Sequence, residues 1–105
     1  MNNEVALITS EIIARNFDLQ LPENEDEKLM ALLRERLIDR LSYLIDHDFE
    51  KLLWILYRID VDEKLATATL ATNPNTPSAV LLADLVIQRQ IKKAETRIKY
   101  RKGEL

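Results

Sequence analysis

The sequence predicts an all-α fold, a compact bundle of four to five helices. Apolar residues recur at the helical period of about 3.6 in every long segment, and helix capping patterns separate these segments. The 105 residues include one glycine and three prolines, so few residues are available to form the tight turns that connect strands. A chain of this length can bury one core without a disulfide or a structural metal. We therefore expect a single helical domain over residues 1–105, with the last turns, residues 99–105, frayed.

The organising element of the predicted bundle is a central helix over residues 48–63, which holds the only tryptophan and the densest apolar run. Its apolar stripe covers about half of the circumference at about 100° per residue. Such a broad stripe requires other helices on more than one side, and we expect the first and last helices to pack on either side. The stripe consists of Phe49, Leu52, Leu53, Ile55, Leu56, Tyr57 and Ile59.

Trp54 lies outside this stripe, one turn from Glu50 and one turn from Arg58. Two interpretations are open. The average burial of tryptophan favours a cover by another helix of the same chain. Alternatively, Trp54 and Arg58 bind a protein partner, because Trp and Arg are over-represented among the residues that dominate interface energy.

The amino-terminal half contains two amphipathic helices. The first covers residues 4–18 and ends before Pro22, which disfavours helix at the preceding residue. The second begins at a capping box of Asn24 and Glu27 and runs to about Asp46, with one apolar side over about six turns. That side consists of Leu29, Met30, Leu33, Leu37, Leu41, Leu44 and Ile45.

A minor face of the second helix carries Leu32 and Tyr43. These two residues form either a second contact surface inside the bundle, which we favour, or a small exposed apolar ridge. His47 follows where the helix ends, and Asp48 can cap the central helix.

Two further helices follow the central one. Asp60 and Glu63 form a capping box for a short helix over residues 62–72. The alternating Ala and Thr residues of that segment, taken alone, could also form a strand. Thr76 caps the last helix, with Pro77 at its first helical position.

The last helix continues beyond its apolar front section as a narrow apolar seam that suits one facing helix. We expect a homodimer formed wholly or partly through this seam, with its three isoleucines as partner-binding residues. The alternative is that the first helix of the same chain covers it. The seam consists of Ile87, Ile91, Ala94 and Ile98.

Charge is distributed unevenly along the chain. Residues 1–28 carry 7 acids and 2 bases, and residues 85–105 carry 7 bases and 2 acids. In a twofold dimer, the basic end of one chain could meet the acidic end of the other.

The basic residues around the seam support an alternative function. Seven bases with a tyrosine could follow a phosphate backbone, because phosphate contacts dominate non-specific nucleic-acid affinity. The net charge of −3 instead favours a solvated helix face. The residues expected to contact nucleic acid are Arg89, Lys92, Lys93, Arg97, Tyr100 and Arg101.

Catalytic chemistry has little support in this sequence. The absence of cysteine excludes disulfides, thiol catalysis and Cys-ligated zinc. His47 is the only histidine, and although Asp48 follows it as in the His-Asp pair of metal phosphohydrolases, such a site needs further ligands from other helices. No serine stands in a glycine-flanked nucleophile elbow. We therefore expect no enzyme activity, no cofactor and no metal.

The expected location is the cytoplasm, without membrane binding. The start of the chain lacks the charged and apolar regions of a signal peptide. No apolar run approaches the roughly 18 residues that span a bilayer.

A scattered set of residues in the carboxy-terminal half consists of Asp48, Phe49, Leu56, Tyr57, Arg58, Ile59, Asp60, Val61, Glu63, Ile98 and Tyr100. In these residues the chain resembles a group of small uncharacterised bacterial helical proteins. This resemblance implies no activity that can be assigned to a residue. We predict a non-catalytic protein interaction or scaffold module, with a nucleic-acid-binding accessory protein as the alternative.

Overall fold

A computed structural model of the protein describes residues 3–21, 28–72 and 77–103, without the side chains of Leu70 and Thr72. These residues form five α-helices and no strand, which confirms the predicted all-α bundle. The helices are α1 (Asn3–Phe17), α2 (Leu29–His47), α3 (Phe49–Arg58), α4 (Glu63–Thr72) and α5 (Ser78–Arg101).

Local capping determines where α3 and α4 begin. The carboxylate of Asp48 accepts a hydrogen bond from the backbone N–H of Lys51 at 3.2 Å, so Asp48 caps α3 as predicted. The predicted cap of α4 is wrong, because the carboxylate of Asp62, rather than that of Asp60, accepts a hydrogen bond from the N–H of Lys64 at 2.9 Å. The Ala and Thr segment that follows is helical.

Asp60 closes α3 instead of opening α4. Its φ of 62° lies in the left-handed region. The N–H of Asp60 donates to the carbonyl of Tyr57 at 3.2 Å, and the N–H of Val61 donates to that of Leu56 at 3.0 Å. This is the bond pair of a Schellman motif, in which glycine is the usual residue. Asp18, with a φ of 56°, takes the same conformation after α1.

Two predicted helix starts concern residues outside the described part of the chain, the capping box of Asn24 and Glu27 and the cap Thr76. Pro77 is described and stands directly before α5, with a non-helical ψ of 133°. Its carbonyl accepts a hydrogen bond from the N–H of Val80 at 3.0 Å. Pro77 therefore precedes the helix and does not occupy its first position.

All five helices contribute buried apolar side chains to one main core. The predicted apolar side of α2 faces this core along its length. Its leucines are buried, and Met30 and Ile45 pack against the core while partly exposed. The buried leucines of α2 are Leu29, Leu33, Leu37, Leu41 and Leu44.

The hub of the bundle is α5, which corrects the prediction that the central helix organises it. α5 packs against α1, α2 and α4, whereas α3 packs against α2 and α4. Length explains the difference, since α5 has 24 residues and α3 has 10. At a rise of 1.5 Å per residue, α5 is about 36 Å long and α3 about 15 Å.

The seam of α5 lies against α1 of the same chain. The guanidinium group of Arg101 pairs with the carboxylate of Glu4, so the basic end of the chain meets its own acidic end. Of the two interpretations of the seam, the intramolecular one is therefore correct. A small apolar cluster between the two helices consists of Val5, Ile8, Ile91, Ala94 and Ile98.

Candidate functional site

α3 has one buried and one exposed side. Leu52, Ile55 and Leu56 are buried in the core. On the other side, Trp54 is 62% exposed and Tyr57 is 75% exposed. The interpretation that another helix of the chain covers Trp54 is therefore wrong.

The exposed rings of Trp54 and Tyr57 stack on each other, with centroids 6.0 Å apart and planes inclined by 19°. Residues three apart are neighbours on a helix surface. Phe49, 44% exposed, and the half-buried Leu53 continue this surface along the helix. We call these four residues the aromatic face. Exposed apolar patches of this kind mark interaction sites when they are contiguous.

Glu50 and Arg58 flank the aromatic face, and both are exposed. Each is four residues from Trp54, so the three side chains form one row along the helix surface. The two charged residues start about 6 Å from Trp54 along the axis, on opposite sides. The face thus has an aromatic centre, with Glu50 and the exposed Lys51 toward one end and Arg58 toward the other.

The sequence pattern concealed two members of this face. Phe49 and Tyr57 belong to the predicted apolar stripe, yet both are exposed. The stripe extends over about 200° at about 100° per residue, whereas a surface helix typically buries an apolar face about 100° wide. The excess width was the feature in the sequence that could have indicated an exposed apolar surface.

The end of α3 is fixed to α5. Gln90 is buried and its amide nitrogen donates to the carbonyl of Ile59 at 2.8 Å. Arg89 donates to the carbonyl of Asp60 at 3.0 Å, and the ammonium group of Lys93 lies 2.8 Å from the carboxylate of Asp60. The hydrogen bond from Lys93, and then its charge, lower the pKa of Asp60. These contacts fix the orientation of α3 relative to the bundle.

The predicted partner-binding residues lie on two separate surfaces. Trp54 and Arg58 are exposed one turn apart on α3. On α5, Ile87 and Ile98 are buried and Ile91 is half-buried, so these isoleucines offer little surface to a partner. Within the chain, α1 occupies the seam that we expected to form the homodimer interface. The homodimer itself stays a prediction.

Half of the six residues predicted to contact nucleic acid already bind groups within the chain. Arg89 and Lys93 bind Asp60. Arg101 pairs with Glu4. The other half are exposed on α5. The engaged residues are Arg89, Lys93 and Arg101, and the remaining ones are Lys92, Arg97 and Tyr100.

The structure also describes His47, Tyr43 and the long apolar segments that the sequence singled out. Within the described ranges, no cluster of three or more His, Cys, Asp or Glu side chains could hold a metal ion. The ring of His47 packs against Tyr43, with centroids 4.7 Å apart. Tyr43 is exposed, so the predicted second contact surface inside the bundle is wrong for this residue. No described helix has both the length and the apolar character needed to cross a bilayer.

Comparison of the chain with models of known families, with curated proteins and with solved structures finds no match. The resemblance of the carboxy-terminal half to small bacterial helical proteins therefore stays a prediction.

Proposed function

We propose that the protein is a non-catalytic interaction module that binds another protein through the aromatic face of α3. The observation that carries this proposal is the exposure of two stacked rings, Trp54 at 62% and Tyr57 at 75%. Removing apolar surface from water contributes about 25 cal/mol per Å², so a partner that covers these rings gains binding energy. Tryptophan and tyrosine are also enriched among the residues that dominate binding at interfaces.

The helix that carries the aromatic face is anchored on its other side and at its end, which supports a role in docking. The opposite side of α3 is buried in the core, and Gln90 and Arg89 hold the carbonyls at the end of the helix. A rigid surface loses little conformational entropy when it binds, so more of the contact energy contributes to affinity.

The dimensions of the face suit one partner helix. α3 has 10 residues, about 15 Å of helix at 1.5 Å per residue. A helix that crosses it could insert apolar side chains beside Trp54. Glu50 and Arg58 would then select a partner with opposite charges at matching positions. We propose the cytoplasm as the place of action, in accordance with the absence of cysteine.

A pull-down from the source cell tests this function with three proteins, the wild type, a Trp54→Ala/Tyr57→Ala double variant and a Tyr100→Ala variant. Tyr100 is a matched control because it is an exposed tyrosine on a different helix. We expect a partner that the wild type and Tyr100→Ala retain and the double variant loses. A partner retained equally by all three proteins would contradict a role for the aromatic face.

The same variants test the alternative function. Lys92, Arg97 and Tyr100 are exposed on α5, and they would contribute to the binding of a phosphate backbone. We expect no binding of random DNA or RNA in fluorescence anisotropy across a salt series. Binding that weakens steeply with salt and is lost in Tyr100→Ala but kept in the double variant would favour the nucleic-acid function.

A further inference from the structure

The exposed row on α3 has a symmetric charge pattern. Glu50, Trp54 and Arg58 are evenly spaced, and all three are exposed. If the direction of the helix is reversed about Trp54, the acid takes the position of the base and the base takes that of the acid. The row is therefore complementary to an antiparallel copy of itself.

We propose that α3 of a second copy of this chain occupies the aromatic face. The two α3 helices cross antiparallel about a twofold axis at Trp54, and Glu50 of each copy faces Arg58 of the other. This inference rests on the proposed function, because it names the partner that the same face binds.

Helix packing geometry is compatible with this pairing. Residues four apart form a ridge on a helix, and two such ridges pack at a crossing angle of about −50°. The charged residues then meet about 6 Å on either side of the crossing point. Trp54 and Tyr57 of both copies lie at the centre, where hot-spot residues concentrate. A twofold contact of this kind closes on itself, so it produces a dimer and no longer assembly.

Charge also selects the antiparallel direction. If the two helices ran parallel, Glu50 would face Glu50 of the second copy and Arg58 would face Arg58. Like charges placed opposite one another disfavour that arrangement. The antiparallel arrangement replaces both repulsions with attractions.

The available surface implies a weak dimer. Phe49, Trp54 and Tyr57 are 44%, 62% and 75% exposed. Large aromatic residues bury about 150–250 Å² each, so these three leave roughly 300–400 Å² to cover in each copy. A standard interface buries about 800 Å² per partner, and the stems of Glu50 and Arg58 must supply part of the rest. We expect a Kd on the order of 10 µM.

Sedimentation velocity up to about 300 µM protein tests the dimer through charge reversal. Glu50→Arg and Arg58→Glu, each alone, create two like-charge contacts, and we expect each to raise the Kd about tenfold. The Glu50→Arg/Arg58→Glu double variant restores the contacts and should bind within about threefold of the wild type. An equimolar mixture of the two single variants should form a heterodimer of nearly wild-type affinity.

Two further variants locate the contact. Trp54→Ala should raise the Kd by at least roughly 30-fold. Glu11→Arg, an equal charge change at an exposed position of α1, should leave the Kd unchanged. Circular dichroism at low concentration identifies any variant that fails to fold, and the double variant and the mixture test the pairing independently of such failures.

Several results would overturn the dimer. These are a wild type that stays monomeric at about 300 µM, a Trp54→Ala protein that dimerises like the wild type, or a mixture of the single variants that stays monomeric. The proposed function fails separately, when no partner from the source cell depends on Trp54 and Tyr57. A monomeric wild type whose cellular partner is lost in the aromatic double variant would refute the dimer and retain the interaction module.

Discussion

The seam of α5 and the aromatic face of α3 are both apolar helix surfaces, but only the seam is covered within the chain. α1 lies along the seam and buries Ala94 and Ile98. α3 packs against α2 and α4, which leaves Trp54 and Tyr57 exposed. The comparison shows that an apolar stripe is covered only where enough neighbouring helices reach it.

The residues of the two surfaces differ in size as well. Ala94 lies at the centre of the seam and is fully buried. A small side chain at this position lets two helix backbones approach closely. Trp54 and Tyr57 present large rings instead, and their stacking covers only one side of each ring. The seam is suited to permanent packing, whereas the aromatic face is suited to a partner.

A pair of truncations should give the largest difference between the two surfaces. Ile98 is buried between α1 and α5, so Ile98→Ala should lower the free energy of unfolding by about 2–4 kcal/mol. Trp54→Ala removes a larger side chain but should lower it by less than about 1 kcal/mol, because the ring is already largely hydrated. Urea denaturation at low protein concentration measures both. Equal losses would contradict the contrast between a covered and an uncovered surface.

A second prediction concerns the attachment of α3 to α5. Gln90→Leu should lower the free energy of unfolding by about 1–3 kcal/mol, because the carbonyl of Ile59 loses its donor while buried. The amide oxygen of Gln90 has no hydrogen-bond partner within the described part of the chain, which limits the loss. Gln88→Leu is the control, since Gln88 is exposed, and it should change stability by less than about 0.5 kcal/mol. Equal effects of the two substitutions would show that the attachment contributes nothing.

A third, smaller effect should appear as a pH dependence at the same attachment. Lys93 lowers the pKa of Asp60 through a hydrogen bond and its charge. The ion pair therefore stabilises the fold at pH values above the pKa of Asp60 in the unfolded chain, about 3.9. This stabilisation is lost as the pH falls through the lower pKa that Asp60 has in the folded protein. Asp60 is 58% exposed, so after solvent screening the contribution is at most about 1 kcal/mol.

The Asp60→Asn variant isolates this pH effect. The difference in unfolding free energy between wild type and variant should shrink from pH 6 towards pH 2, and about 1 M NaCl should shrink it at pH 6. Asparagine tolerates the left-handed backbone conformation, so the turn after α3 is preserved. A difference that does not change with pH would mean that the ion pair is not responsible.

The smallest expected effect is a gain in stability at the end of α1, the helix that covers the seam. Asp18→Gly relieves a left-handed conformation that costs a side-chain-bearing residue about 1–2 kcal/mol. The greater freedom of glycine in the unfolded chain offsets part of this gain, which leaves about 0.5 kcal/mol. The same substitution at Asp39, inside α2, should instead lower stability by a few tenths of a kcal/mol. A lower free energy of unfolding in both variants would refute the predicted gain at Asp18. The affinity of the dimer should not change in either variant.

Local patterns in the sequence predicted several elements well. The apolar side of α2 is buried as its period indicated, and Asp48 caps α3. Asp60 was assigned to the wrong helix, because an aspartate near a helix boundary can cap a following helix or close a preceding one. The left-handed φ of Asp60 decides between these roles, and it depends on the turn between α3 and α4, where Arg89 and Lys93 of α5 contact Asp60.

The sequence by itself determined that the chain is helical, which side of each long helix is apolar, and that Trp54 lies between Glu50 and Arg58. These properties follow from periodicity and spacing within single segments. Only the tertiary structure decided that α5 is the hub, that α1 covers the seam and that Trp54 is exposed. The physical reason is that burial depends on which helices share an interface. An apolar stripe favours burial, but it does not specify the neighbouring helix that will cover it.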